Sequence, residues 1–126
     1  MKSPYSARVL ELFRTLPGAG APGAGPGRLA VGEAGSLERG AWVRFEARVD
    51  SGHVVDCGFR AWGCPHTLAA AAVARAWMLS SREGGAPQCE AARLASELDV
   101  PAAKMGRMLV VEDAGKALLA EAARVQ

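Results

Sequence analysis

A change of hydrophobic period in the middle of this chain constrains its fold more than any other feature. From Trp42 to Val49 apolar residues fall at every second position. Val43, Phe45, Ala47 and Val49 share one face, and Arg44, Glu46 and Arg48 share the other. Asp50-Ser51-Gly52-His53 reads as a turn, after which Val55, Cys57, Phe59 and Ala61 alternate with Asp56 and Arg60. Successive side chains of a strand point to opposite faces, so this stretch specifies an antiparallel hairpin with one covered face. After Gly63-Cys64-Pro65 the period becomes helical. Pro65 suits a first helical turn, where its missing N–H would have no intrahelical partner. Leu68, Ala69, Ala72, Val73, Ala76 and Trp77 line the expected buried face, and Gly84-Gly85 ends the helix.

The rest of the chain is mainly helical. Ser3-Pro4 reads as an N-cap followed by a first-turn proline, with Tyr5, Val9, Leu12, Phe13 and Leu16 at helical spacing and Pro17 as the stop. Residues 17–27 are Gly, Pro and Ala only. With nothing to bury, they are expected to form a mobile spacer. No Lys-Ser/Thr follows their glycines, which disfavours a phosphate-binding loop. A third helix is expected after Pro87, with Ala91, Leu94, Ala95 and Leu98 inward. Val100-Pro101 breaks the chain, and Ala102–Val125 is helical, in one piece or in two joined near Glu112-Asp113. Strands followed by helices predict an α+β fold, a small antiparallel sheet covered on one face by helices. The 126 residues are expected to form one domain.

Composition excludes several function classes. Aromatics make up 6% of the chain while Ala and Gly are abundant, so the core is expected to depend on close helix approach. The net charge is +2 with acidic and basic residues interspersed, which leaves no footprint for nucleic acid. No apolar run reaches the ~18 residues that cross a bilayer. Thr67–Leu79 is too short and contains Arg75, and the N-terminus has no apolar signal region. A cytoplasmic location is the expectation. Three cysteines is an odd number without disulfide-framework spacing, so thiols are expected.

Several strings, in collinear order, resemble the NifU/IscU iron–sulfur scaffold family. They are Val55-Asp56-Cys57-Gly58-Phe59-Arg60-Ala61-Trp62-Gly63-Cys64, Leu98-Asp99-Val100-Pro101-Ala102-Ala103-Lys104-Met105, and Glu112-Asp113-Ala114 followed by Lys116-Ala117. The resemblance runs from Tyr5-Ser6 to the last helix and implies an IscU-like fold. Family members hold a cluster with three cysteines and an assisting Asp and His. The Ala-Cys-Gly-Asp string of the family corresponds to Glu38-Arg39-Gly40-Ala41, which puts Arg39 at a cysteine position and Ala41 at the aspartate. The second cysteine is Cys64. The adjacent His-Cys pair corresponds to Gly106-Arg107. One ligand of five remains, and two arginines occupy cysteine positions.

Cys64 is the candidate that carries chemistry. At a strand-to-helix junction, free N–H groups and the helix dipole favour a thiolate, and arginines 39 and 107 would favour it further if they share its pocket. Such a thiolate could accept sulfur from a cysteine desulfurase or ligate iron, zinc or an iron–sulfur cluster at an interface. His66 is a second candidate metal ligand, with a polar residue in the first helical turn as the bland alternative. Glu38, Asp56, His53, water or a partner would have to complete the set. Val100, Pro101 and Lys104 resemble the family's chaperone-recognition loop, Leu-Pro-Pro-Val-Lys; a helix-start proline explains them equally well. Cys57 is read as a small buried thiol, Cys89 as a surface residue on the polar side of the third helix, and Trp62 and Trp77 as packing residues.

The leading expectation is a non-enzymatic iron–sulfur assembly scaffold whose partners are a desulfurase, an assembly chaperone and in one option a second copy of itself. The alternative is a metal-free paralogue acting as an adaptor or regulator of the assembly machinery. An enzyme using a Cys64-His66 dyad is weakest, since no third orienting group is apparent.

Overall fold

The computed structural model describes residues 3–80 and 89–125. Its element order is α1 (Ala7–Thr15), β1 (Arg28–Ser36), β2 (Ala41–Asp50), β3 (His53–Trp62), α2 (Pro65–Ser80), α3 (Ala91–Leu98), a 3-10 turn (Ala102–Lys104) and α4 (Met105–Arg124). The three strands form one antiparallel sheet in the order β1-β2-β3, which gives the expected α+β class. Gly84-Gly85 and Pro87, expected to end one helix and begin the next, lie outside the described residues.

The hairpin forms for the reasons its pattern implies. Ser51 and Gly52 take positive φ values of 53° and 79°, the two-residue geometry whose twist matches that of paired strands. Val43, Phe45, Ala47 and Val49 are buried, and Arg44 pairs with Glu33 and Glu46 on the open face. One detail differs on β3. The register shifts between Arg48 and Val49, opposite Val55, so Val54 is buried and Val55 is not. A bulge of this kind inserts one residue and flips parity beyond it.

The strand β1 was not expected from the sequence. Its inward positions Ala30, Gly32 and Ala34 are small, while its larger apolar residue Leu29 is 63% exposed. The cause lies in α4, which crosses β1 and β2 so closely that a Cβ on Gly32 would collide with the backbone at Leu118 and Ala114. Small inward residues make room for a helix, and they erase the alternation that marks a strand.

The helix α2 packs against β3, α1, α3 and α4. Its Ala69–Ala74 run is buried throughout, so the expected single apolar face is replaced by burial on all sides. Ala76, expected inward, is exposed, and Trp77 is half-buried with the Arg93 guanidinium 4.4 Å from its ring centroid. Trp62 is 51% exposed rather than packed. The cap of α1 is Ser6, whose Oγ accepts the Val9 N–H at 3.2 Å and donates to Leu98 O at 3.0 Å. Pro4 therefore lies before the helix. Val9 is buried and Leu12 partly so, whereas Phe13, expected inward, is exposed. The final helix α4 runs unbroken through Glu112-Asp113.

The Gly/Pro segment lies along the free edge of β3. Gly20 N–H donates to Phe59 O at 2.8 Å, Gly23 N–H to Asp56 Oδ2 at 2.5 Å, and Arg48 reaches Gly23 O and Pro26 O. The approach is so close that a Cβ on Gly58 would meet Gly20 O. Covering an edge in this way removes unpaired strand groups from solvent. The buried apolar residues of sheet and helices form a single cluster.

Candidate functional site

The loop between β3 and α2 sets the site. Gly63, at φ 153°, turns the chain; a side chain there would press on Thr67. Cys64 O then accepts from Thr67 N at 2.9 Å and Leu68 N at 3.3 Å, which makes Cys64 the N-cap of α2 with Pro65 as the first helical residue. An N-cap side chain is positioned to accept the second and third N–H groups of its helix. Here that acceptor is sulfur.

Cys64 is half-buried, and partial burial alone would push its thiol up. Hydrogen bonds from the Thr67 backbone N–H and hydroxyl, a further one from the His66 N–H, and the Arg107 charge together outweigh that cost and hold the thiol below its ordinary value. Thr67 Oγ1 is 3.8 Å and His66 Nδ1 is 4.0 Å from Sγ. The other two cysteines behave oppositely. Burial pushes Cys57 and Cys89 each up to about 12. Cys57 is the expected buried thiol. Cys89 is not on the surface of α3 as expected; it precedes that helix, packs against Gly115 and contacts Val111 O at 3.5 Å. All three are free.

His66 lies in the first turn of α2, as expected, and is only 1% exposed. The Tyr5 ring lies against it with centroids 4.8 Å apart, and its Nε2 is buried without a hydrogen-bond partner. Burial first, then the Lys104 and Arg107 charges, hold its pKa below the ordinary value, so the ring is neutral at pH 7.

Arginines 39 and 107 share a pocket with each other, but Cys64 does not line it. The turn after β1 and the first residue of β2 supply Arg39 and Ala41; the first turns of α4 supply Gly106, Arg107 and Val110, with Ala103 from the 3-10 turn. The pocket encloses about 210 Å³. Four positions expected from the resemblance to match ligands, Arg39, Ala41, Gly106 and Arg107, therefore lie together, and none carries a ligand side chain. Arg107 acts on Cys64 electrostatically; no such effect of Arg39 is resolved. Thr67, Tyr5 and Val110 were missed from sequence. Only Thr67, three residues after an N-cap, carried a local signal.

The segment of Val100, Pro101 and Lys104 joins α3 to α4. Asp99 takes a left-handed conformation, Val100 N–H closes α3 on Ala95 O at 2.9 Å, and Lys104 N–H donates to Pro101 O at 2.8 Å. Pro101 is exposed.

The donor set does not fit an iron–sulfur cluster held by one chain. Among the described residues no three His, Cys, Asp or Glu side chains come together. Asp56 is engaged instead by Gly23, the Cys57 N–H and Arg75, and His53 pairs in register with Asp50 at the hairpin turn. Clusters are commonly held by four protein ligands. Fixed guanidinium charge from Arg39 and Arg107 in one pocket opposes cation ligation there. No helix among the described residues is long and apolar enough to cross a membrane.

Comparison with known proteins matches this architecture. The chain is 26% identical over 118 residues to the Iron-sulfur cluster assembly enzyme IscU of Drosophila melanogaster, covering 93% of this chain and 77% of that protein. It is 24% identical to the Iron-sulfur cluster assembly scaffold protein IscU of Haemophilus influenzae, covering 93% and 94%. A crystal structure from Fervidobacterium islandicum AW-1, named as a candidate iron–sulfur cluster assembly scaffold for a SUF system, superposes with a TM-score of 0.66 at 15% identity, covering 92% of this chain and 96% of that one. Residues 4–124 match the family described as NifU-like N terminal domain, and the chain belongs to that family.

Proposed function

We propose that this protein works in iron–sulfur cluster assembly as a sulfur-accepting member of the scaffold family, with Cys64 as the acceptor. The observation that carries this reading is the contrast among its thiols: Cys64 alone is both reachable and held below its ordinary pKa. The partner of matching chemistry is a cysteine desulfurase, a class whose persulfide presents a transferable sulfur. The Cys64 thiolate attacks the outer sulfur of the donor persulfide. A new S–S bond forms at Cys64, the donor's S–S bond breaks, and the donor leaves as a thiolate. No outside oxidant or reductant is needed. The segment of Val100, Pro101 and Lys104, of which Pro101 is exposed, is the proposed contact for an assembly chaperone, and the setting is the cytoplasm.

Iron or zinc would engage Cys64 and His66 only with further ligands from a partner or a second copy. The imidazole would first have to leave its burial under Tyr5. Arginines at cysteine positions favour a second reading, a metal-free adaptor for the assembly machinery. Incubation with a desulfurase and cysteine, followed by intact-mass analysis, separates the two. The acceptor reading predicts a gain of one sulfur atom that Cys64→Ser abolishes. Desulfurase binding with no sulfur gained, and no iron or acid-labile sulfide after anaerobic purification, supports the adaptor.

A further inference from the structure

The pocket between the β1–β2 turn and the start of α4 contains an unusual concentration of uncompensated charge. Arg39 and Arg107 both line it, together with Ala41, Ala103, Gly106 and Val110. No acidic side chain lines it, and among the described residues neither arginine makes an ion pair. Nor is Arg107 simply spread into solvent: its Nε is buried with no hydrogen-bond partner. Two like charges facing one cavity repel, and a buried guanidinium donor without an acceptor is unfavourable. An occupant that brings negative charge and lone pairs removes both costs.

The chemistry of that occupant follows from its walls. Guanidinium groups present parallel N–H donors that match the two oxygens of a carboxylate or two of a phosphate. Each water of liquid takes up roughly 30 Å³, so the pocket's volume of about 210 Å³ admits a small anion. It lies below the span of about 300–1,000 Å³ typical of drug-sized ligand sites. The remaining lining residues, Ala41, Ala103, Gly106 and Val110, carry no charged or polar side chain. We propose that the Arg39–Arg107 pocket is a binding site for a small oxyanion, a carboxylate or phosphate group held between the two guanidinium groups. Arg107 also favours the Cys64 thiolate, but anion binding does not require sulfur transfer at Cys64, and separate measurements read the two.

Isothermal titration of the full chain with sodium phosphate, and separately with sodium propionate, tests the proposal at constant ionic strength made up with chloride. One-site saturable binding of either anion is expected, and the tighter of the two names the head group. Arg39→Gln and Arg107→Gln are each expected to weaken it about tenfold or more, the loss of a charge-assisted pair. Arg124→Gln, at the far end of α4, should leave it unchanged. If Arg107→Gln fails to fold, Arg107→Lys keeps the charge without the fork, and weaker binding of phosphate or propionate is still expected. Absence of saturable binding by both anions, or binding that survives unchanged in Arg39→Gln and in the Arg107 variant, overturns the proposal.

Discussion

Cys64 occupies a position where a serine or aspartate commonly caps a helix, and that placement gives its sulfur hydrogen-bond donors that the other two thiols lack. Native protein at neutral pH should therefore alkylate at Cys64 alone, with Cys57 and Cys89 reacting only after denaturation; peptide mass mapping reads the outcome. Arg107→Gln removes one charge that favours the thiolate, so the Cys64 pKa should rise and alkylation at fixed neutral pH should slow. Thr67→Ala should act in the same direction through the lost hydroxyl. Cys64 was legible in the sequence because strand, turn and first-turn proline are all local signals. Cys89 was misplaced, and the burial of His66 was not foreseen, because their surroundings are remote: Gly115, on α4, receives one, and Tyr5 covers the other. Spacing along a chain carries no record of contacts that distant.

At the scale of elements, the seating of α4 on β1 is the most demanding contact. Gly32 leaves no room for a methyl group against the helix backbone, so Gly32→Ala should cost about 3 kcal/mol, an overpacking penalty that urea midpoints would register. The same feature explains why β1 escaped sequence analysis. Its inward residues are Ala and Gly, and its outward residues include Leu29 and Val31, the reverse of the pattern expected for a half-buried strand. The β2–β3 hairpin was legible because its inward residues are large and its turn carries Gly52. Its bulge was not, since one inserted residue alters parity without altering composition. For the 17–27 segment, composition pointed to a spacer, but its hydrogen bonds to the β3 edge are made by backbone atoms that composition cannot report. The Gly20 amide, bonded to Phe59 O, should accordingly exchange with deuterium far more slowly than the amide of exposed Ala24.

Across the whole molecule, a core of Ala, Val and Leu with few rings draws sheet and helices into one apolar cluster, and a neutral imidazole is buried where α1 meets α2. Because the native His66 pKa is lowered from 6.5, the unfolded chain binds its proton more readily. This contribution to stability is complete above 6.5 and is lost as pH falls from there toward the native value. Asp56, lowered from 3.8, adds a second loss as pH falls below that value. Urea midpoints across this range should decline in two stages, and His66→Gln should flatten the first. The fold class was visible at this scale from strands preceding helices. The convergence of Arg39 with Arg107 needed the family resemblance, since the two lie in different elements. The central claim is that this arrangement makes Cys64 an activated thiol, and the pH dependence of its alkylation rate tests it most directly. A midpoint below the ordinary free-thiol value of about 8.5 is expected. A midpoint at or above that value would contradict it.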